Sequence, residues 1–199
     1  MDKEQAHQEI VFIKKIIEDT QKNFVNNGKI YMLWSLVAIF AIFLKFIKEV
    51  VNFEFNNLWI YIPMFIVGAI GNYALKKTSD QGEQIKSFSQ NIIEGIWGGI
   101  GVAIVLLVIV GYITGGVKSW AVAPIVASVF GSLHYMSGIV SGSLWIKYSS
   151  FGWWGAAFFM FVFPGEYSVL LLAVLLFFLQ LMPGIVLYKR WKNIAKENK

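Results

Sequence analysis

The feature that most constrains this chain is a succession of six apolar runs, each close to a membrane's thickness in helical length. They are Ile30 to Ile47, Leu58 to Leu75, Gly95 to Thr114, Trp120 to Val140, Leu144 to Phe163 and Tyr167 to Tyr188. An α-helix rises about 1.5 Å per residue, so about 20 residues cover a hydrocarbon core roughly 30 Å thick with every backbone amide bonded internally. The runs predict an all-α polytopic membrane bundle of six transmembrane helices. Composition agrees: 57% hydrophobic residues, 15% charged residues and a mean hydropathy of +0.61 leave too little polar surface for a domain bathed in water. No polar block between the runs is large enough to fold by itself. The expected organisation is therefore a leading segment at residues 1–28, one bundle at 29–190 and a basic tail at 191–199.

The distribution of cations gives the bundle a direction. Lys and Arg accumulate on the cytoplasmic side of short membrane loops. With the N-terminus inside, fourteen of the seventeen fall on the inner side, and only Lys45, Lys48 and Lys118 fall outside. An even number of crossings returns the C-terminus to the cytoplasm. The same arrangement accounts for most of the +5 net charge, because cations beside anionic inner-leaflet lipid are favoured. Membrane lipid, not nucleic acid, is the partner that the charge implies. Tyr31, Trp34, Trp59, Tyr61, Trp97, Tyr112, Trp120 and Trp145 fall near the expected interfaces, as an aromatic belt would. The first run is expected to be retained, since 29 mostly polar residues precede it and it is long for a signal-peptide core.

Residues 2–26 read as an amphipathic cytoplasmic or interfacial helix, with Ile10, Ile13, Ile17, Thr20 and Phe24 on one face, ended by Asn27 and Gly28. Its stripe has three destinations: the inner interface, the underside of the bundle, or another protein, including a second copy. Small residues recur every four positions at Gly95, Gly99 and Ala103 and at Ala123, Ala127 and Gly131, a spacing that lets helix backbones approach closely, within the chain or between subunits. Pro183 and Gly184 should kink or loosen the last run. Ser141, Gly142 and Ser143 leave only a tight turn between the fourth and fifth runs.

Ionisable and polar groups at membrane depth are expensive, and those that persist mark candidate sites. Depth-matching gathers His134, Ser150, Asn72, Glu94, Lys147 and Gln180 toward the inner half, with Tyr135 and Ser149 nearby. Two readings are open. The group lines a polar cavity facing the cytoplasm, with His134 as its proton-competent member. Alternatively His134 and the serines bond between helices, Lys147 snorkels to headgroups and Glu94 sits near a helix N-terminus. Trp153 and Trp154 fall in mid-span, where they either pack in the core or form an aromatic wall for a flat or cationic ligand.

Several chemistries lack the residues they need. There are no cysteines, and His7 and His134 stand far apart, so no metal site or cofactor is expected. H-E-x-x-H, G-x-S-x-G, Walker A and dinucleotide-binding patterns are missing, and Asp2, Asp19 and Asp80 all lie outside the runs, so no catalytic activity is expected. Neither a ring of charges nor a filter-like loop suggests a channel.

The polar segment leading through Gly28 to Tyr31 and Trp34, the stretch around Pro124, Gly131 and Gly138, and the late Pro183–Gly184 pair together resemble a class of small bacterial six-span membrane proteins of unassigned activity. The resemblance implies a bacterial inner membrane and transfers no catalytic or binding residue. Two functions follow as expectations. The first is an accessory or regulatory subunit acting by protein association. The second is a small-molecule binding or transport protein with a cytoplasm-facing polar and aromatic cavity.

Overall fold

A computed structural model of the chain describes residues 5, 7–12, 14, 28–79, 88–165 and 167–197, and among them every regular element is helical. The order is α1 (Gly28–Val50), α2 (Leu58–Ser79), α3 (Phe88–Ile104), a π-helical segment π1 (Val105–Val110), α4 (Gly111–Ile113), α5 (Ser119–Ser141), α6 (Leu144–Val162), α7 (Tyr167–Leu175), a second π-helical segment π2 (Leu176–Leu181) and α8 (Met182–Glu197). α3, π1 and α4 form one rod, and α7, π2 and α8 another. Among the described residues, five helices are long and apolar enough to cross a membrane: Gly28–Lys48, Leu58–Leu75, Glu94–Ile113, Ser119–Ser141 and Tyr167–Lys189. The chain is therefore consistent with a multi-pass membrane protein. Large apolar side chains such as Phe40, Phe43, Ile70, Phe158 and Phe178 cover the outside of the bundle, as lipid-facing surfaces require.

The fifth predicted run forms the 19-residue helix α6 but is absent from that group of five. Lys147, Tyr148, Ser149 and Ser150, followed by Trp153 and Trp154, interrupt its apolar residues. Most of the leading segment, including Ile13, Ile17, Thr20 and Phe24 of the expected stripe, lies outside the described residues. Ile10, which is described, is helical and exposed.

Local chemistry sets the element ends. Asn52 adopts a left-handed conformation (φ 52°) just beyond α1, and the Asn56 side-chain oxygen accepts the Leu58 N–H at 3.0 Å to open α2. Gly142, with φ 66° and ψ 13°, ends α5 in the left-handed cap that only glycine adopts without strain, and α6 begins two residues later.

That turn fixes an antiparallel hairpin whose register persists along both helices. Gly138 lies against the Lys147 backbone, Gly131 against the Trp154 ring, and the Phe130 and Trp153 rings stack at 5.2 Å. Farther along, Ala123 and Ala127 join Ala157 and Met160 in the main apolar core with Leu172, Leu175 and Leu176. α1 is held on two sides. Trp34 and Leu33 lie over Gly68 and Gly71 of α2, while Gly28 meets Gly184 of α8. A Cβ at Gly28 would stand 2.7 Å from the Tyr188 nitrogen and 2.8 Å from the Gly184 oxygen, so the two backbones touch directly.

The two small-residue stripes behave differently. Ala123, Ala127 and Gly131 are buried within the chain. Gly95 and Gly99 are exposed, with open space where a Cβ would go.

Candidate functional site

The residues singled out by depth occupy two separate places. His134, Ser150, Trp153 and Gln180 are each at most 1% exposed, in the packed interior where α5 meets α6 and π2. His134 forms the link between elements. Pro183 has no N–H to give the Leu179 carbonyl four residues before it. His134 Nε2 stands 3.1 Å from that oxygen, so the tautomer protonated at Nε2 donates to it, and Nδ1 lies 2.9 Å from the Phe130 carbonyl. Its ring is also in contact with Trp153 (5.5 Å) and Tyr31 (6.0 Å). The π-helical turn ahead of Pro183 is the adjustment that lets the last rod continue through the proline as α8.

Ser150 turns back on its own helix, donating to the Lys147 carbonyl at 2.5 Å, as Ser149 does to Ile146 at 2.7 Å. Trp154 Nε1 donates to the Ser128 carbonyl at 3.2 Å, which holds its indole in the Gly131 notch. Lys147 Nζ lies 5.7 Å from the Tyr135 ring centre. Gln180 is enclosed with no hydrogen-bond partner for either side-chain polar atom among the described residues.

Asn72 and Glu94 lie elsewhere. They line a cavity of about 610 Å³ enclosed by α1, α2, the α3–π1 rod, α5 and the α7–π2 rod, with no contribution from α6. The volume is in the range that holds a drug-sized molecule. Tyr31 and Lys45, both on the wall, are fourteen residues apart on α1, about 21 Å along a helix axis. The lining is apolar along most of that length, through residues such as Ala38, Ile42, Phe65, Val126 and Leu172. Polar groups gather at the ends. Glu94 and Asn72 share one end with Tyr31, Trp34 and Trp97, and the Tyr31 and Trp97 rings meet edge-on at 4.7 Å. Lys45, Tyr61 and Ser119 occupy the other. Beyond it, Lys48 donates to Asn57 at 2.7 Å, and Asn57 contacts the Tyr112 hydroxyl at 3.5 Å, tying the loop after α1 to α4.

Two features of the wall stand out. Both π-helical segments contribute to it, π1 through Val105, Leu106 and Val108 and π2 through Leu176. Such turns in helices recur at functional sites because they widen the helix and redirect side chains. In addition, Ala69, Gly98, Val102 and Leu106 line the cavity and are accessible to a molecule the size of water. α2 meets the α3–π1 rod chiefly through π1. The cavity is partly open, and the sparse contact between α2 and α3 leaves it least covered there, where these four residues carry no polar side chain.

Sequence reasoning placed Tyr31, Trp34 and Trp97 in an interfacial belt, whereas their side chains line this cavity, with Tyr31 buried. Sequence reasoning counted Lys45 only among the outer-side cations and missed its place on the cavity wall, although a cation within the first apolar run was a signal that could have found it. Lys45 is buried, at 6% exposure, on the cavity wall. The geometry is that of a helical bundle, compatible with a multi-pass membrane protein, around a largely apolar cavity. Comparison with protein-family models, curated proteins and solved structures finds no match for the chain.

Proposed function

We propose that this chain is a non-catalytic membrane protein that takes an apolar or amphipathic small molecule out of the bilayer into the cavity between α1, α2, α3 and α5. The observation that carries this reading is the partly open cavity of about 610 Å³, least covered between α2 and α3 where its lining is apolar, which suits solutes already dissolved in lipid. On this reading the protein sits in a bacterial inner membrane with both ends in the cytoplasm, and α6 makes a sixth crossing beside α5. The cation distribution supports the orientation. The continuous α5–α6 register supports the sixth crossing.

The test is co-purification. Protein extracted in mild detergent should release about one amphiphile per chain on denaturation, read by mass spectrometry. Gly98 lines the cavity and has open space where a Cβ would go, so Gly98→Phe should add bulk at the cavity wall and reduce its volume. Equal retention by that variant would refute the reading.

A second reading, association with another membrane protein, draws on the outward-facing Gly95 and Gly99 of α3. Loss of a specific cross-linked partner in a Gly95→Leu/Gly99→Leu double variant would support it.

A further inference from the structure

We infer that the cavity holds a single unbranched hydrocarbon chain, extended along the bundle. The inference rests on the cavity reading above and adds the chemical class of its occupant. Three walls run over the same length. Tyr31 and Lys45 line the cavity from α1, Glu94 and Val108 from the α3–π1 rod, and Ser119 and Leu133 from α5. The two residues of each pair are fourteen positions apart, about 21 Å along a helix. Between them the lining recurs every three or four positions, as at Trp34, Ala38 and Ile42 of α1, so each helix gives one face to the cavity along its length. Tyr61 and Asn72 extend the fourth wall, α2, over about 16 Å.

The space is therefore long and narrow. A volume of about 610 Å³ drawn out over about 21 Å has a mean cross-section of about 29 Å². Carbon atoms in contact stand about 3.5–4.0 Å apart, so one zigzag chain fills such a bore and a second has no place beside it. Midway along the three walls stand Ala38, Gly101 and Val126, and these small side chains let the slot continue between the larger rings of Trp34 and Phe130. The lining of an apolar void lacks dispersion contacts that an apolar guest restores. A stretched polypeptide advances about 3.6 Å per three bonds, and an extended alkyl chain advances similarly, so about eighteen carbons match the slot.

Straight-chain 1-alkanols of increasing length test this, bound to the full chain in vesicles of methyl-branched phytanyl lipid, whose tails do not compete. With partition into protein-free vesicles subtracted, affinity relative to the free aqueous alcohol should rise about fourfold per methylene. It should level off near about eighteen carbons. After division by its lipid partition coefficient, the affinity of an adamantane alcohol should be at least tenfold weaker than that of 1-decanol. Gly101 has open space where a Cβ would go, so Gly101→Phe should move the levelling-off to about half that length. Gly155→Phe, on an open face of α6 outside the cavity, should leave it in place. Repetition in straight-chain phospholipid distinguishes two sources of the same chain: a loss of apparent affinity assigns the slot to one tail of a bilayer lipid, and no loss assigns it to a free single-chain amphiphile. Equal normalised binding of the adamantane alcohol would overturn the single-chain inference and leave the cavity reading intact, as would a rise that never levels off or a levelling-off unmoved by Gly101→Phe. Absence of protein-dependent binding of every alkanol would also overturn the inference, and if no amphiphile co-purifies either, the cavity reading falls with it.

Discussion

At the scale of single residues, the structure separates buried polar groups that serve packing from those that face a void. His134 compensates for a proline. Four residues after Leu179 stands a proline without an N–H, and the Nε2 of an imidazole on a neighbouring helix, a donor in the tautomer protonated there, lies 3.1 Å from the Leu179 carbonyl. His134→Phe should therefore destabilise the bundle by about 1–3 kcal/mol, the cost of stranding a buried acceptor. Pro183→Ala restores the backbone donor, so the two changes together should cost less than their sum by at least about 0.5 kcal/mol. Additive effects in thermal or SDS unfolding would refute the link. Gln180 makes the opposite case. Its enclosed amide has no partner among the described residues, so Gln180→Met should leave stability unchanged or raise it by about 1 kcal/mol in the same assay. The sequence exposed His134 and Gln180 as intramembrane polar groups but not their partners, because a carbonyl 45 residues away carries no signature in residue type. It concealed the roles of Tyr31, Trp34 and Trp97 for a related reason: an aromatic residue near a helix end has the same spacing whether it faces headgroups or a cavity.

At the scale of elements, close approach is concentrated where glycine permits it. Gly28 and Gly184 bring α1 and α8 into backbone contact, and a methyl group at Gly28 meets backbone atoms that have no free rotamer. Gly28→Ala should cost about 1–3 kcal/mol. Gly95→Ala meets open space on a helix and should be neutral or stabilise by up to about 1 kcal/mol. Matched unfolding curves for the two variants would contradict this division. Identical four-residue spacing on the third and fourth runs thus has two outcomes. Ala123, Ala127 and Gly131 are paired by the Gly142 turn with a helix that follows immediately, whereas Gly95 and Gly99 have no such neighbour. The positions of the helices were readable from apolar run length, since backbone satisfaction in lipid leaves few alternatives. The π-helical segments were not, because a run of Val, Leu and Ile at 105–110 reads the same in either helical form.

At the scale of the whole molecule, the proposed topology makes a firm statement about sidedness. Reporters fused after Lys77 and at the C-terminus should both register cytoplasm, and one inserted at Lys118 should register the opposite side. A periplasmic signal from either of the first two would overturn the orientation. The natural absence of cysteine makes single-thiol labelling unambiguous at each of these sites. The partial opening of the cavity depends on α2 and α3 remaining apart below π1, a relation that no local pattern encodes.

The α5–α6 hairpin has a consequence for how the chain enters a membrane. α6 carries Lys147 and two adjacent serines, and on the proposed topology it must cross a phase into which it partitions poorly alone. Its serine hydroxyls are already bonded to its own carbonyls, and Gly138 and Gly131 receive its backbone and Trp154. Biogenesis then has an order: α5 is committed first, and α6 follows as its shielded return stroke. The two-residue turn at Gly142 becomes a timing element, keeping the lysine-bearing helix beside its escort while the insertion machinery still holds both.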